Sequence, residues 1–140
     1  MYQVRQSCFE TNSSSVDVLC IPPSGNVAFP KTIKFSVLRR DVGDLDENPS
    51  VEDKLAFMYD LACEHGCGDS FINYLINKGI VIEYDTGYDY YDDNMFGFNM
   101  FEEDLDLLLF SRDAKILYNP DSKDVDNLRQ QGFRTERIHR

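Results

Sequence analysis

Two helices encoded almost back to back between Ser50 and Gly79 constrain the fold of this chain more than any other feature. Leu55, Met58, Tyr59 and Ala62 fall at i, i+3, i+4 and i+7, which puts them on one helix face. Ser50 stands where an N-cap belongs, and Asp53, three residues on, supplies a variant of the capping box. Gly66 is the expected stop. A second helix starts at Asp69 or Ser70, carries Phe71, Tyr74 and Leu75 on one face, and ends at Gly79. With 140 residues the chain has room for one ordinary domain, so the other elements must pack onto this pair.

Strand signals flank the helices. Tyr2 to Arg5 alternates apolar and polar residues. Val16, Val18 and Cys20 alternate with Asp17 and Leu19 before Ile21-Pro22-Pro23-Ser24-Gly25 ends the run, and these two segments are expected to form a hairpin. Ile33, Phe35 and Val37 alternate with Thr32, Lys34 and Ser36, predicting a third strand with its odd positions buried. Ile80 to Ile82 suits a strand directly after a helix stop. Glu102 to Phe110 reads as a helix, with Leu105, Leu108 and Leu109 on one face and acids crowding its first turn. Ala114 to Tyr118 reads as a strand. Asp121 or Ser122 opens a last helix with Val125 and Leu128 inside and Gly132 as its stop, and Phe133 to Ile138 is expected to close the sheet. The predicted fold is α+β, a single domain over residues 1–140 with a mostly antiparallel sheet of about five to six strands and three to four helices.

Charge narrows the function. There are 25 acids against 14 bases, a formal net charge of -11. Nonspecific nucleic-acid binding uses Lys and Arg to release counterions, so direct binding to nucleic acid is not expected. Residues 41–106 hold 18 acids and only two bases, Lys54 and Lys78, between mildly basic flanks. Like charges packed together destabilise the compact state, so such a block serves solvation or a partner. No apolar run approaches the ~20 residues of a membrane helix, so no membrane partner is expected. The opening residues lack the apolar stretch of a secretory signal, and the expectation is a cytoplasmic protein with reduced thiols.

The most distinctive stretch runs from Gly79 to Ser111, with nine acids and no Lys or Arg. Tyr84, Tyr88, Tyr90 and Tyr91 interleave with its first five acids. Carboxylates can stand in for phosphates before a basic groove, and tyrosines add flat contact area at low entropy cost. The expected partner-binding surface is therefore Glu83, Asp85, Tyr88, Asp89, Tyr90, Tyr91, Asp92, Asp93, Glu102, Glu103 and Asp104. The plainer reading of the same residues is a solvated loop that keeps the protein soluble.

Other chemistry finds less support. A calcium loop opened at Asp44 would have Pro49 at its sixth position and Leu55 at its twelfth, where Gly and Glu belong. Cys63, His65 and Cys67, with Cys8 or Cys20, would supply enough zinc ligands, but the spacing is not that of a zinc knuckle; a helix end with buried thiols explains it as well. Two histidines leave little acid–base machinery, and no motif selects a nucleophile. No metal, cofactor or catalytic residue is expected. The basic end, Arg129, Arg134, Arg137, His139 and Arg140, has the charge to touch a phosphate backbone or to pair with the acidic middle, and its plainer reading is a solvated terminal segment.

Arg5 to Ser15 contains Phe9-Glu10-Thr11-Asn12-Ser13-Ser14-Ser15. This stretch resembles the opening of a group of small proteins from phages and mobile elements of low-GC Gram-positive bacteria, which begin with a short strand and then F-E-T-N-S-S-S. The histidine that often follows there is absent here, where Val16-Asp17 follows. The context this resemblance implies is that of anti-CRISPR and other anti-defence inhibitors, by analogy of class. The expected function is a stoichiometric inhibitor of a bacterial nucleic-acid enzyme, foremost an RNA-guided CRISPR nuclease, acting by nucleic-acid mimicry. The alternative is a phage structural or interaction protein that self-associates, as a homodimer for example.

Overall fold

The computed structural model describes residues 16–139 other than 44, 47 and 85–99. In chain order the elements are β1 (Val16–Ile21), β2 (Thr32–Lys34), α1 (Phe35–Leu38), α2 (Val51–Glu64), α3 (Gly68–Asn77), β3 (Val81–Glu83), α4 (Glu102–Phe110), β4 (Lys115–Tyr118), α5 (Ser122–Gln130) and β5 (Arg134–His139).

The helix pair forms as its sequence dictates. The Ser50 hydroxyl accepts from the Asp53 N–H at 3.1 Å and caps α2. At the other end Gly66 takes φ +73°, a conformation that costs any other residue a Cβ clash. There the Gly66 N–H bonds Cys63 O at 3.1 Å and the Cys67 N–H bonds Ala62 O at 2.8 Å, a Schellman closure. Cys67 then caps α3, so that helix starts at Gly68, ahead of the predicted Asp69 or Ser70. The αL turn at Gly66 is so tight that Cys67, whose N–H closes the end of α2, is also the N-cap position of α3.

The α+β class holds, with a different sheet arrangement from the one expected. Among the described residues five strands divide into an antiparallel sheet of order β4-β1-β5 and a parallel pair, β2 with β3. The parallel pair aligns Thr32 with Val81, Ile33 with Ile82 and Lys34 with Glu83. It is parallel because α1, α2 and α3 lie between its strands as the crossover. The third strand ends at Lys34, where the chain turns into the single helical turn of α1; Ile33 and Phe35 are buried nonetheless.

β1 is the central strand, paired with β4 over 17–20 and with β5 over 16–21. Both of its edges are filled over these residues; Tyr2–Arg5, the other half of the expected hairpin, lies outside the described residues. Both of its faces are covered as well. Leu19 and Ile21 enter the main core with Phe35, Met58, Phe71, Leu75, Leu108, Leu109 and Ile116. Val18 and Cys20 point the other way and pack under Val125 of α5, with Leu128 and Phe133 beside them. That two-sided burial explains why β1 is apolar at nearly every position rather than at alternate ones. No helix among the described residues is long and apolar enough to cross a membrane.

Candidate functional site

The acidic helix α4 occupies the side of the antiparallel sheet opposite α5. Leu105, Leu108 and Leu109 bury its inner face. Glu102, Glu103 and Asp104 fill its first turn, where carboxylates meet the positive end of the helix dipole. Phe101, the N-cap, offers no side-chain bond and is 78% exposed.

Three cations from three other elements converge on α4. Lys78, the residue capping the end of α3, places Nζ 2.6 Å from Glu102 and 2.9 Å from Asp106. The same ammonium lies 5.6 Å from the ring centre of Phe29 and 5.7 Å from that of Tyr74. The Tyr74 hydroxyl donates to Asp106 at 2.6 Å. Glu102 is the main cause that holds Lys78 protonated above its ordinary range, with Asp106 adding to it. Burial pushes the Tyr74 hydroxyl far above its usual value, and its bond to Asp106 pushes it further. From β5, Arg134 pairs with Asp104. Nearby, Glu136 is raised from its ordinary value, first by burial and then by Asp104.

The third cation is Lys54 of α2, which is 2% exposed. Its ammonium donates to the Ser111 carbonyl at 3.0 Å, at the negative end of α4. Burial lowers its pKa from 10.5 to about 8. Lys54 therefore caps a helix rather than neutralising a carboxylate.

The predicted surface residues separate on this framework. Glu102 and Asp104 share α4 and are ion-paired, while Glu103 projects into solvent with no ion pair among the described residues. Glu83 is exposed at the end of β3 and makes no ion pair among the described residues. Tyr84 beside it packs its ring 5.1 Å from that of Phe35 while staying 43% exposed. Asp85, Tyr88, Asp89, Tyr90, Tyr91, Asp92 and Asp93 lie outside the described residues, as does the Phe9–Ser15 motif. Sequence reasoning missed the roles of Lys78 and Lys54, whereas the pair of Arg134 with Asp104 is a contact between the basic end and the acidic middle of the kind the sequence offered. Lys78 had a signal, since it follows Tyr74 by four residues and shares its helix face; Lys54 had none.

Among the described residues Cys20 lies apart from Cys63 and Cys67; Cys8 lies outside them. Cys63 is exposed at the end of α2 and Cys67 is buried, its thiol raised by that burial. Cys20 sits on the α5 side of the sheet, pushed up to about 11 by burial, whereas Cys67 belongs to the main core. No group of three or more metal-ligating side chains occurs among the described residues. Among the described residues, a surface cleft of about 280 Å³ lies beside Arg39, Arg40, Tyr59 and Cys63, and another of about 470 Å³ runs along β4 and α5. In the first, Arg40 is already paired with Asp53.

What the α4 arrangement does chemically is bind cations, with carboxylates at hydrogen-bond distance and aromatic faces alongside. No protein-family model, curated protein or solved structure matches this chain.

Proposed function

We infer that this protein works by binding: its acidic surface enters the Lys/Arg-lined channel of a bacterial nucleic-acid enzyme, foremost an RNA-guided CRISPR nuclease, and denies that channel to DNA. One observation carries the reading. Of the two bases in the block 41–106, Lys54 is buried on a backbone carbonyl and makes no ion pair among the described residues, which leaves Lys78 as the block's own ion-pairing base against 18 acids, with Arg40 and Arg134 from outside the block pairing with Asp53 and Asp104. A negative surface of this size steers a positively lined cleft toward it, with fast and salt-sensitive association. The arginines with which such a nuclease reads its short duplex motif are natural targets.

The test is competition. The nuclease–guide complex is incubated with this protein, and binding of a duplex carrying the short motif is followed. Inhibition is expected, and it should weaken as salt rises. Replacing Asp89, Asp92 and Asp93 together by Asn is expected to reduce inhibition at least about tenfold while leaving the folded-state circular dichroism unchanged. A triple variant that inhibits as well as the parent would reject this surface, and duplex binding untouched by the parent protein would reject the target class.

A second reading, self-association, is favoured by exposed apolar side chains near the Lys78 cluster. Phe29 is 40% exposed with its ring against Lys78, and Phe101 adjoins Glu102. Light scattering after size exclusion separates the two readings, because a tight homodimer would favour the second.

A further inference from the structure

The carboxylates of α4 are not presented bare, because the chain seats its own cations on them. We propose that Lys78 and Arg134 are resident occupants of this surface, so that a partner's lysine or arginine side chains reach Glu102, Asp104 and Asp106 only by displacing them. The inference rests on the binding role given above and concerns its regulation: the contact is self-masking, and its strength is set by how readily the two cations leave.

The geometry around Lys78 is what an alkylammonium from another protein would seek. Two carboxylate oxygens lie 2.6 Å and 2.9 Å from Nζ, and the rings of Phe29 and Tyr74 stand within 6 Å. The Tyr74 hydroxyl fixes Asp106 in place from behind, so the seat keeps its shape when the ammonium moves. Arg134 fills the equivalent role at Asp104 from the far side of the helix. The two occupants differ in hold. The Lys78 side chain is 16% exposed, whereas that of Arg134 is 51% exposed, so Arg134 yields first. Each new ion pair made by a partner at Glu102, Asp104 or Asp106 replaces one already present, so α4 contributes less to affinity than its charge implies. A displaced Lys78 also remains nearby as a repulsive charge.

The probe is a fluorescently labelled octa-arginine peptide, titrated at low salt against the parent, Lys78→Met, Arg134→Gln and Lys123→Met. Lys123 is the control. It is exposed on α5, on the opposite side of the sheet, and has no ion pair among the described residues. Its replacement changes the net charge as the other two do without touching α4. Lys78→Met and Arg134→Gln are expected to bind the peptide about three- to tenfold more tightly than Lys123→Met, with the excess fading as salt rises. If neither binds more tightly than Lys123→Met, the displacement is wrong. Arg134→Gln keeps the question answerable should Lys78→Met not fold, because a half-exposed side chain empties no core. The peptide is synthetic, so failure here leaves the nuclease reading standing, and failure of the nuclease reading leaves the peptide result standing.

Discussion

Lys54 looks misplaced on a helical wheel: a lysine at 2% exposure among Leu55, Ala56, Phe57 and Met58. Its position makes sense only against α4, where the carbonyl of the C-cap residue Ser111 accepts from its ammonium. Burial disfavours the charged form, so the folded pKa of about 8 lies below the ordinary 10.5. Below pH 8 both folded and unfolded chains hold the proton, and the burial penalty stands in full. Between about pH 8 and 10.5 the unfolded chain holds the proton that the folded one has lost, so stability rises with pH across that window. Lys54→Met should abolish that rise. Urea unfolding of parent and variant at a series of pH values is expected to show a constant difference below pH 8 and, above it, a difference that grows in favour of the parent. A difference that stays flat to pH 10.5 would mean that the amine titrates normally.

Among the elements, helix ends were the most legible, because a Schellman closure is local chemistry. Gly66, Gly79 and Gly132 were all read as stops, and each takes a positive φ just past its helix. The closures are alike in hydrogen bonding and unlike in surroundings. A Cβ at Gly66 would meet nothing within 4 Å, whereas one at Gly132 would lie 3.3 Å from Pro23 Cγ. Gly66→Ala should therefore show only the left-handed backbone penalty, about 1 kcal/mol. Gly132→Ala should cost more, because a proline ring gives way less easily than a flexible side chain. Equal losses in chemical denaturation would show that Pro23 shifts freely. Strand partners were far less legible. Ile80 to Ile82 announced a strand within one residue of its observed start, but nothing local to those residues said that β3 would run parallel to β2. Likewise, nothing near Val16 said that β4 and β5 would fill both edges of β1.

Across the whole molecule α4 acts as a hub, tied by Lys54 from α2, Lys78 from α3 and Arg134 from β5. Its two Lys78 partners are not equivalent. Glu102 is 62% exposed, and such a pair contributes little through water. Asp106 is 17% exposed and also accepts from the largely buried Tyr74. Glu102→Gln is expected to destabilise by about 0.5 kcal/mol or less, and Asp106→Asn by about 1–3 kcal/mol. Asp106→Asn should also lower the Tyr74 hydroxyl pKa, read by ultraviolet titration against the parent, since a neutral amide removes both the carboxylate acceptor and its charge. The reverse ranking would place the fold's dependence on the exposed pair. The acidic block, the helices α2 to α5, their glycine stops and the buried faces of α2, α3 and α4 follow from neighbours within one or two turns along the chain, so reading the residues in order was enough to find them, whereas α1 read as strand and the α3 cap fell at Cys67 rather than at Asp69 or Ser70. Which strands pair, which lysine is buried and which carboxylates are already taken depend on groups brought together from far along the chain, 24 residues apart in Lys78 with Glu102, 57 in Lys54 with Ser111 and 101 in Asp17 with Tyr118. No periodicity encodes such meetings, because they arise only when the apolar faces have packed and each buried charge must find a partner.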